Sequence, residues 1–287
     1  MAGVEDRVVL VTGAGGGLGR QHALLFAARG AKVVVNDLGG ARDGTGAGSE
    51  MADAVVAEIA AAGGTAVANH ASVSTPEGGE AVVATALDAF GRLDAVVNNA
   101  GILRDVSFAK MTAEQFDAVV QVHLYGSFHV TRAAWPHLRE QSYGRVVMTT
   151  STSGLYGNFG QANYGAAKLG MVGLINTLAI EGRKYNITAN AVAPIAATRM
   201  TEDIMPPEAL QALDPAYVSP LVVHLASEEC TDTGEVVLAG GGQYARVHYV
   251  QAKGAHFDAV PGVEDVAAAW GRIMDLEGAE LGRPLSG

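Results

Sequence analysis

The stretch VVLVTGAGGGLG (residues 8–19) decides the fold, because a run of β-branched and aliphatic residues leads directly into a glycine-rich turn. The apolar run predicts a buried strand, and the periodicity from Gly17 to Arg29 predicts a helix. A turn that lacks side chains lets a pyrophosphate approach the amides and the partial positive charge of the helix N-terminus. These residues therefore predict a dinucleotide-binding strand, turn and helix, with a purely structural glycine turn as the alternative.

The same alternation continues along the rest of the chain. Further strands are predicted at residues 32–37, 65–70, 93–99, 144–151, 186–193 and 235–239, and helices at residues 50–62, 112–140 and 161–185, with one more ending at Phe90. Strands that alternate with helices in this way form a parallel sheet covered on both faces. We therefore expect an α/β protein with a Rossmann doubly wound parallel seven-stranded sheet and helices on both faces.

The length of 287 residues suits one large hydrophobic core with a short appendage. We expect residues 1–245 to form the dinucleotide-binding domain that includes the catalytic site. Residues 246–287 are expected to form a C-terminal extension with one helix, because apolar spacing recurs between Val263 and Leu276. The glycine content of residues 39–49 predicts a flexible loop after the second strand.

Composition excludes several classes of partner. The net charge of -11 argues against a nucleic acid, since phosphate binding needs clustered Lys and Arg. Cys230 is the sole cysteine and has no zinc-ligand spacing around it, so we expect neither a disulfide nor a metal site. No apolar stretch approaches the roughly 20 residues that span a bilayer. The N-terminus lacks signal-peptide features and the terminal LSG lacks the peroxisomal form, so we expect a cytoplasmic protein without a membrane partner.

Asp37 ends the second predicted strand, roughly 20 residues past the glycine turn. An acidic side chain there can accept hydrogen bonds from both hydroxyls of the adenosine ribose, and its charge repels a 2′-phosphate. The position therefore favours NAD over NADP. A loop or helix-capping aspartate is the alternative. Arg42 in the following loop is the residue that could weaken the exclusion of the 2′-phosphate of NADP.

Ser151 closes a predicted strand, and NYGAAK (residues 163–168) opens the next helix with Tyr164 and Lys168 on one face. A phenol has a pKa near 10, so a base that works near neutrality needs a pKa lower by about three. An ammonium about 4 Å away supplies roughly that effect at an effective dielectric of about 20. We therefore expect Lys168 to lower the pKa of Tyr164 as general acid/base, and Ser151 to donate to the substrate oxygen. The alternative for an isolated Tyr and Lys pair on a helix is two exposed side chains without a role in catalysis.

At this point the chain resembles the short-chain dehydrogenase/reductase superfamily, in which TGAGGGLG, Asp37, NNAG (residues 98–101), Ser151 and the Tyr164 and Lys168 pair occur in this order and spacing. The segments GILRDVSFAKM, HLYGSFHVTRAAW and GNFGQANYGAAK look more narrowly like the (3R)-hydroxyacyl-CoA dehydrogenase region of multifunctional β-oxidation enzymes. Related bacterial 17-beta-hydroxysteroid dehydrogenase-like proteins are similar as well. The resemblance covers about residues 5 to 245.

Carried over by position, the resemblance implies a set of contacts to NAD. They are Gly13, Gly16, Gly17, Leu18, Asp37, Ser72, Val73, Asn99, Ala100, Gly101, Tyr164, Lys168, Ile195 and Thr198. Ser151 and Tyr164 are expected to contact the substrate. The chain departs from the superfamily after the sixth strand, where Pro194 is followed by Ile195 instead of the common glycine.

His123 stands where many members of the superfamily have an asparagine that helps to hold a proton-relay water. We include it among the catalytic candidates with Ser151, Tyr164 and Lys168. The backbone carbonyl usually fills that role, so a packed helix histidine is the alternative.

The resemblance implies an enzyme that interconverts a secondary alcohol and a ketone, with (3R)-3-hydroxyacyl-CoA and 3-ketoacyl-CoA as the expected pair. The alternative within enzymes is a hydroxysteroid dehydrogenase of the 17-beta type, or another bulky-alcohol dehydrogenase. An inactive NAD-binding sensor or scaffold is the alternative of another class. We expect a homodimer or homotetramer, because the Ala, Leu and Val content of the long helices exceeds what one sheet face can hide.

Overall fold

The computed structural model describes residues 3–196 and 213–282. The chain divides into two compact units, one up to Ala245 and one from Arg246 onwards. Within the described residues, no helix combines the length and the apolar composition that crossing a bilayer requires.

The first unit is built around a single large sheet. Its strands are β1 (Val8–Thr12), β2 (Lys32–Asn36), β3 (Thr65–Asn69), β4 (Ala95–Asn98), β5 (Gly144–Thr149), β6 (Ile187–Pro194) and β7 (Val236–Gly240), and the last strand of the sheet, β8 (Gln243–Val247), begins in this unit. They lie in the order β3-β2-β1-β4-β5-β6-β7-β8, and every pairing from β3 to β7 is parallel. The chain reverses direction across the sheet between β1 and β4, which is where such folds place their ligands. The expected α/β Rossmann architecture is confirmed.

Among the described residues the sheet has eight strands, whereas seven were expected from the sequence. The additional strand is β8, which is separated from the end of β7 by two residues. Gly241 and Gly242 both adopt positive φ, of 56° and 80°, and a turn of this kind joins neighbouring strands tightly. The sequence interpretation ended the sheet at residue 239, because residues 243–247 lack the apolar character of a buried strand.

Helices cover the sheet on both faces. They are α1 (Gly17–Ala28), α2 (Glu50–Ala61), α3 (Pro76–Phe90), α4 (Ala113–Val120), α5 (Gly126–Glu140), α6 (Thr152–Tyr156), α7 (Ala162–Gly182) and α8 (Ser219–Leu225). The central strands are buried along their length, as expected for a parallel sheet between two helical layers. The core between the sheet and the helices α1 and α2 contains Phe26, Ile59 and the valines on one face of β1 and β2, which are Val9, Val11, Val33 and Val35.

One predicted helix differs from the structure in its middle. Residues 112–140 were expected to form one long helix, and the π-helical turn Gln121–Tyr125 separates it into α4 and α5. The chain enters α4 through a capping box, in which the Thr112 hydroxyl accepts from the Gln115 amide and the Gln115 side chain accepts from Thr112. The π-turn inserts one extra residue into the helical repeat and so changes which side chain faces the sheet.

Polar residues end the strands along the carboxyl edge of the sheet. Asn36 donates to the side-chain oxygen of Asn69 at 2.9 Å and to the carbonyl of Ala71 at 3.0 Å. Asn98 donates to Thr131 on α5 at 2.9 Å. These bonds fix where the chain leaves each strand, so the loops that follow are held in place around one edge.

As far as residue 282, the second unit contains one helix and a short ribbon. The helix is α9 (Val263–Met274), and β9 (Val250–Gln251) pairs antiparallel with β10 (Glu280–Leu281). The carboxylate of Asp265 accepts from the amide of Gly262 at 2.9 Å and caps the start of α9.

Candidate active site

The glycine turn after β1 lies against the loop that follows β4. Gly13 and Gly17 adopt positive φ, of 63° and 50°. A Cβ on Gly13 would lie 2.7 Å from the Cα of Ala100, and one on Gly19 would lie 2.1 Å from the carbonyl oxygen of Gly13. Asn99 holds the two loops together, because its side-chain amide donates to the carbonyls of Thr12 and Gly13 at 3.0 and 3.1 Å. The resulting cradle, free of side chains at the start of α1, fits the pyrophosphate of a dinucleotide.

The carboxylate of Asp37 is held at the end of β2 by backbone amides. One oxygen accepts from Gly15 at 2.8 Å, and the other accepts from Gly39 at 2.8 Å. Each carboxylate oxygen can accept a second hydrogen bond, so both still have capacity for the hydroxyls of a ribose. Asp37 thus also supports the glycine turn, which the sequence interpretation did not include.

A cleft of about 490 Å³ opens at this edge of the sheet. Every described residue expected to contact the cofactor, the substrate or the reacting atoms lines it: Gly13, Gly16, Gly17, Leu18, Asp37, Ser72, Val73, Asn99, Ala100, Gly101, His123, Ser151, Tyr164, Lys168 and Ile195. Thr198 falls outside the residues that the structure describes. The fold therefore brings the separate sequence motifs together in one cleft.

The cleft also includes residues that sequence reasoning missed. The segment 38–44 forms part of its wall, although the glycine content of residues 39–49 predicted only a flexible loop. The carbonyl of Arg42 accepts from the amide of Leu103 at 3.0 Å, and the carbonyl of Asp43 accepts from the Arg104 side chain at 3.0 Å. These bonds attach the glycine-rich loop to the segment after β4.

Asn158 and Gln161, between Ser151 and Tyr164, are further lining residues that the sequence interpretation did not single out. The Gln161 side chain donates to Asp105 at 2.7 Å and accepts from Asn158 at 3.1 Å. The signal that could have found them is their place in GNFGQ (residues 157–161), a polar loop directly before the tyrosine helix.

Ser151, Tyr164 and Lys168 converge at the middle of the cleft. Ser151 follows β5 and caps α6, where its hydroxyl accepts from the amide of Ser153 at 3.1 Å. Tyr164 lies in the first turn of α7, and Lys168 lies one turn further on the same helix. The Lys168 ammonium is buried, donates to the carbonyl of Thr149, and lies 5.4 Å from the centre of the Tyr164 ring.

Burial dominates the protonation of both groups on α7. It raises the pKa of Tyr164 to about 12, although the hydrogen bond with Ser151 acts in the opposite direction and the Asp105 carboxylate adds to the rise. Burial also lowers the pKa of Lys168 to about 7. The sequence interpretation expected the ammonium to lower the pKa of the phenol. In the structure the pKa of Tyr164 is raised instead of lowered, because burial removes water from the phenol and from the ammonium in the same pocket.

His123 lies in the π-turn and is only 1% exposed. Its Nε2 is 2.8 Å from the carbonyl oxygen of Ile102 and 3.0 Å from the Ile102 amide nitrogen. The imidazole meets the Tyr164 ring edge-on, with ring centres 5.2 Å apart. Burial, followed by the Lys168 charge, lowers the pKa of His123 well below 6.5. The imidazole is therefore neutral and is held beside Tyr164 and the backbone of Ile102.

Gly101 lies so close to this histidine that there is no room for a side chain at position 101. A Cβ on Gly101 would lie 2.2 Å from Cε1 of His123, which is far inside van der Waals contact. The backbone carbonyl of His123 accepts from the Ser127 hydroxyl at 2.7 Å.

Among residues 3–196 and 213–282, no group of three or more His, Cys, Asp or Glu is arranged to hold a metal ion.

Comparisons with known proteins find similar sequences and similar solved structures. The family model for short chain dehydrogenases matches residues 7–209. A Mycobacterium tuberculosis protein described as a short-chain type dehydrogenase/reductase is 65% identical over 281 residues, which are 98% of either chain. The peroxisomal multifunctional enzyme type 2 of Mus musculus is 59% identical over 251 residues, or 88% of this chain and 34% of that protein. The solved structure of the full-length Drosophila melanogaster enzyme of that name matches with a TM-score of 0.84 and 41% identity, over 99% of this chain and 48% of that one. The chain thus spans half or less of these multifunctional relatives.

Proposed function

The chain belongs to the short-chain dehydrogenase family and is an oxidoreductase acting on CH–OH groups, and we propose that it interconverts (3R)-3-hydroxyacyl-CoA and 3-ketoacyl-CoA with NAD. The observation that supports the chemistry is the convergence of Ser151, Tyr164 and Lys168 beside the side-chain-free cradle of Gly13. The substrate class is supported by the identity with multifunctional enzymes, together with the resemblance of the segments quoted above to the (3R)-hydroxyacyl-CoA dehydrogenase region of multifunctional β-oxidation enzymes.

In this proposal Tyr164 exchanges a proton with the substrate oxygen, and Ser151 donates a hydrogen bond to the same oxygen. When bound, the nicotinamide of the cofactor would supply the hydride acceptor or donor. Lys168 would hold the nicotinamide ribose, and its ammonium lies 5.4 Å from the centre of the Tyr164 ring. Since burial raises the pKa of Tyr164 to about 12, the phenol is protonated at neutral pH and is ready to act as the acid in ketone reduction. Alcohol oxidation is therefore expected to accelerate as the pH rises.

The preference for NAD rests on Asp37. Amides of Gly15 and Gly39 fix its carboxylate at the cleft wall, so it cannot turn away without losing both bonds. A 2′-phosphate bound at this position would meet a negative charge that is held in place. NADP is therefore expected to bind more weakly than NAD.

The decisive experiment is a kinetic panel read as kcat/KM. It compares (3R)- and (3S)-hydroxyacyl-CoA thioesters with free hydroxysteroids, in the presence of NAD. We expect the (3R)-thioesters to be the best substrates. A free hydroxysteroid that matches them would move the protein to the bulky-alcohol dehydrogenases, and no turnover of any alcohol would favour a cofactor-binding sensor or scaffold.

A matched pair of variants tests the tyrosine in the same panel. Tyr164→Phe should remove nearly all turnover and leave NAD affinity almost unchanged, since the hydroxyl acts on the substrate proton. Tyr156→Phe is the control, because Tyr156 is 68% exposed and does not line the cleft. Substantial activity in Tyr164→Phe would refute the assignment of the general acid/base.

We further propose a homodimer or homotetramer that forms through α5 and α7. Phe128 on α5 and Leu169 and Ile180 on α7 are each more than 40% exposed, and apolar faces of this kind generally meet a symmetric copy. Light scattering at micromolar concentration tests this, and a monomer would contradict it.

A further inference from the structure

The side chain of Asn163 is fully buried directly before Tyr164. Its amide nitrogen donates to the carbonyl of Arg104 at 3.1 Å and to the carbonyl of Gln115 at 3.2 Å. Its side-chain oxygen accepts from the backbone amide of Tyr164 at 2.8 Å. Both N–H groups and the oxygen of this amide are therefore used, each by a different backbone group.

These three bonds connect three parts of the fold. Arg104 lies in the segment after β4, Gln115 lies in the first turn of α4, and Tyr164 lies in the first turn of α7. The amide of Tyr164 belongs to the group of N–H donors at a helix start that have no partner inside the helix. Asn163 satisfies this donor and at the same time fixes the start of α7 against the other two elements.

A second side chain holds the same segment after β4. The His123 imidazole contacts the backbone of Ile102 through Nε2, and its ring lies edge-on against the ring of Tyr164. The segment 102–104 is thus attached at one end to His123 and at the other to Asn163. Tyr164 contacts the imidazole through its ring and Asn163 through its backbone, so its position depends on both.

We propose that Asn163 is a positioning residue for Tyr164, which aims the phenol at the substrate oxygen by tying the start of α7 to the segment after β4 and to α4. The inference rests on the proposed role of Tyr164 in the reaction. Asn163 is buried and is not expected to touch the substrate or the cofactor. A displacement of about 1 Å at a reacting group can cost roughly 100-fold in rate, which is the scale on which such a residue acts.

Asn190 on β6 offers a matched control for the removal of a buried asparagine. It is also fully buried, and its side chain also bonds only backbone groups, donating to Asp232 at 2.8 Å and accepting from Glu235 at 3.0 Å. Its partners lie between β6 and β7 and do not line the cleft. Asn163→Ala and Asn190→Ala therefore remove similar interactions, but only the first is next to Tyr164.

The experiment compares Asn163→Ala with Asn190→Ala in the full chain. We expect both variants to lower Tm by a similar amount. For Asn163→Ala we expect kcat to fall about 10- to 100-fold, with KM and the Kd for NAD within about twofold of the wild type. The pH profile of oxidation should also move to higher pH, because a displaced Tyr164 loses the hydrogen bond with Ser151 that opposes the rise of its pKa. Asn190→Ala should leave kcat and the profile unchanged.

Asn163→Ser provides the same comparison if the alanine variant folds poorly, since it retains an oxygen for the Tyr164 amide and removes the two-donor amide group. A kcat and a pH profile that match those of Asn190→Ala would overturn the positioning role. If the wild type turned over none of the alcohols in the panel, the proposed function itself would fail. If Tyr164→Phe retained full activity, the proposed role of Tyr164, on which this inference rests, would fail. If Tyr164→Phe were inactive while the Asn163 variants behaved as the wild type, only this inference would fail.

Discussion

Replacing Lys168 with methionine should stabilise the protein while it removes activity. The lysine side chain is 2% exposed, and burial lowers its pKa from 10.5 to about 7. The difference between 10.5 and 7 corresponds to about 5 kcal/mol at 1.36 kcal/mol per pH unit, of which about 4 kcal/mol opposes folding at pH 7. The substitution also removes the hydrogen bond to Thr149, which reduces this gain in stability by about 1 kcal/mol. Lys168→Met is therefore expected to be more stable by about 3 kcal/mol at pH 7.

The stability difference between the wild type and Lys168→Met should depend on pH in a definite direction. A lysine whose pKa is lowered on folding binds fewer protons in the folded state between pH 7 and 10.5. The wild type thus gains stability as the pH rises through this window, and the advantage of methionine should shrink to about zero at pH 10. Urea unfolding, followed by tryptophan fluorescence at both pH values, measures the difference. Lys110→Met, at an exposed lysine, is the control and should change little. A Lys168→Met protein less stable than the wild type at pH 7, or a difference independent of pH, would refute the reasoning.

Three other substitutions test the remaining buried or charged groups. Burial lowers the pKa of His22 from 6.5 to about 3, so the folded protein should lose about 2 kcal/mol between pH 7 and pH 5 as the unfolded chain takes up the proton. His22→Gln should reduce this loss in urea unfolding, and equal pH slopes would argue against it. Wild-type kcat/KM should favour NAD over NADP at least tenfold, or by about 1.4 kcal/mol, and Asp37→Ala should narrow that ratio. Equal use of the two cofactors by the wild type would contradict the role of Asp37. His123→Asn should keep most activity, because the substitution leaves the backbone carbonyl at position 123 in place, and a loss above about 100-fold would show that the imidazole itself takes part in catalysis.

The parts of the fold that could be predicted are those specified by local pattern. Apolar runs and helical periodicity located β1 to β7, and the glycine turn placed a cradle at the start of α1. The spacing of Tyr164 and Lys168 put both on one helix face. Because the strands are parallel, motifs at their carboxyl ends had to meet at one edge, as they do.

The parts that could not be predicted depend on contacts distant in sequence. Nothing in the residues 121–125 distinguishes a π-turn from an ordinary helical turn, because the insertion is stabilised by packing of His123 against Ile102. The bonds of Asn163 go to backbone carbonyls, which every residue possesses, so no residue type signals them. The direction of the Tyr164 pKa depends on how much water the folded pocket excludes, and sequence spacing does not contain that quantity.

The close approach of Gly101 and His123 restricts how this site can evolve. With the imidazole present, any side chain at position 101 forces a displacement of the ring that borders Tyr164. A smaller residue at position 123 has to come first, and only then does position 101 become free to vary. The two positions are therefore epistatic, and the order in which they mutate determines which intermediates keep an undisturbed ring beside Tyr164. A library that varies position 101 alone would sample almost exclusively damaged proteins, whereas one that varies both positions together would reach active sites of a different shape.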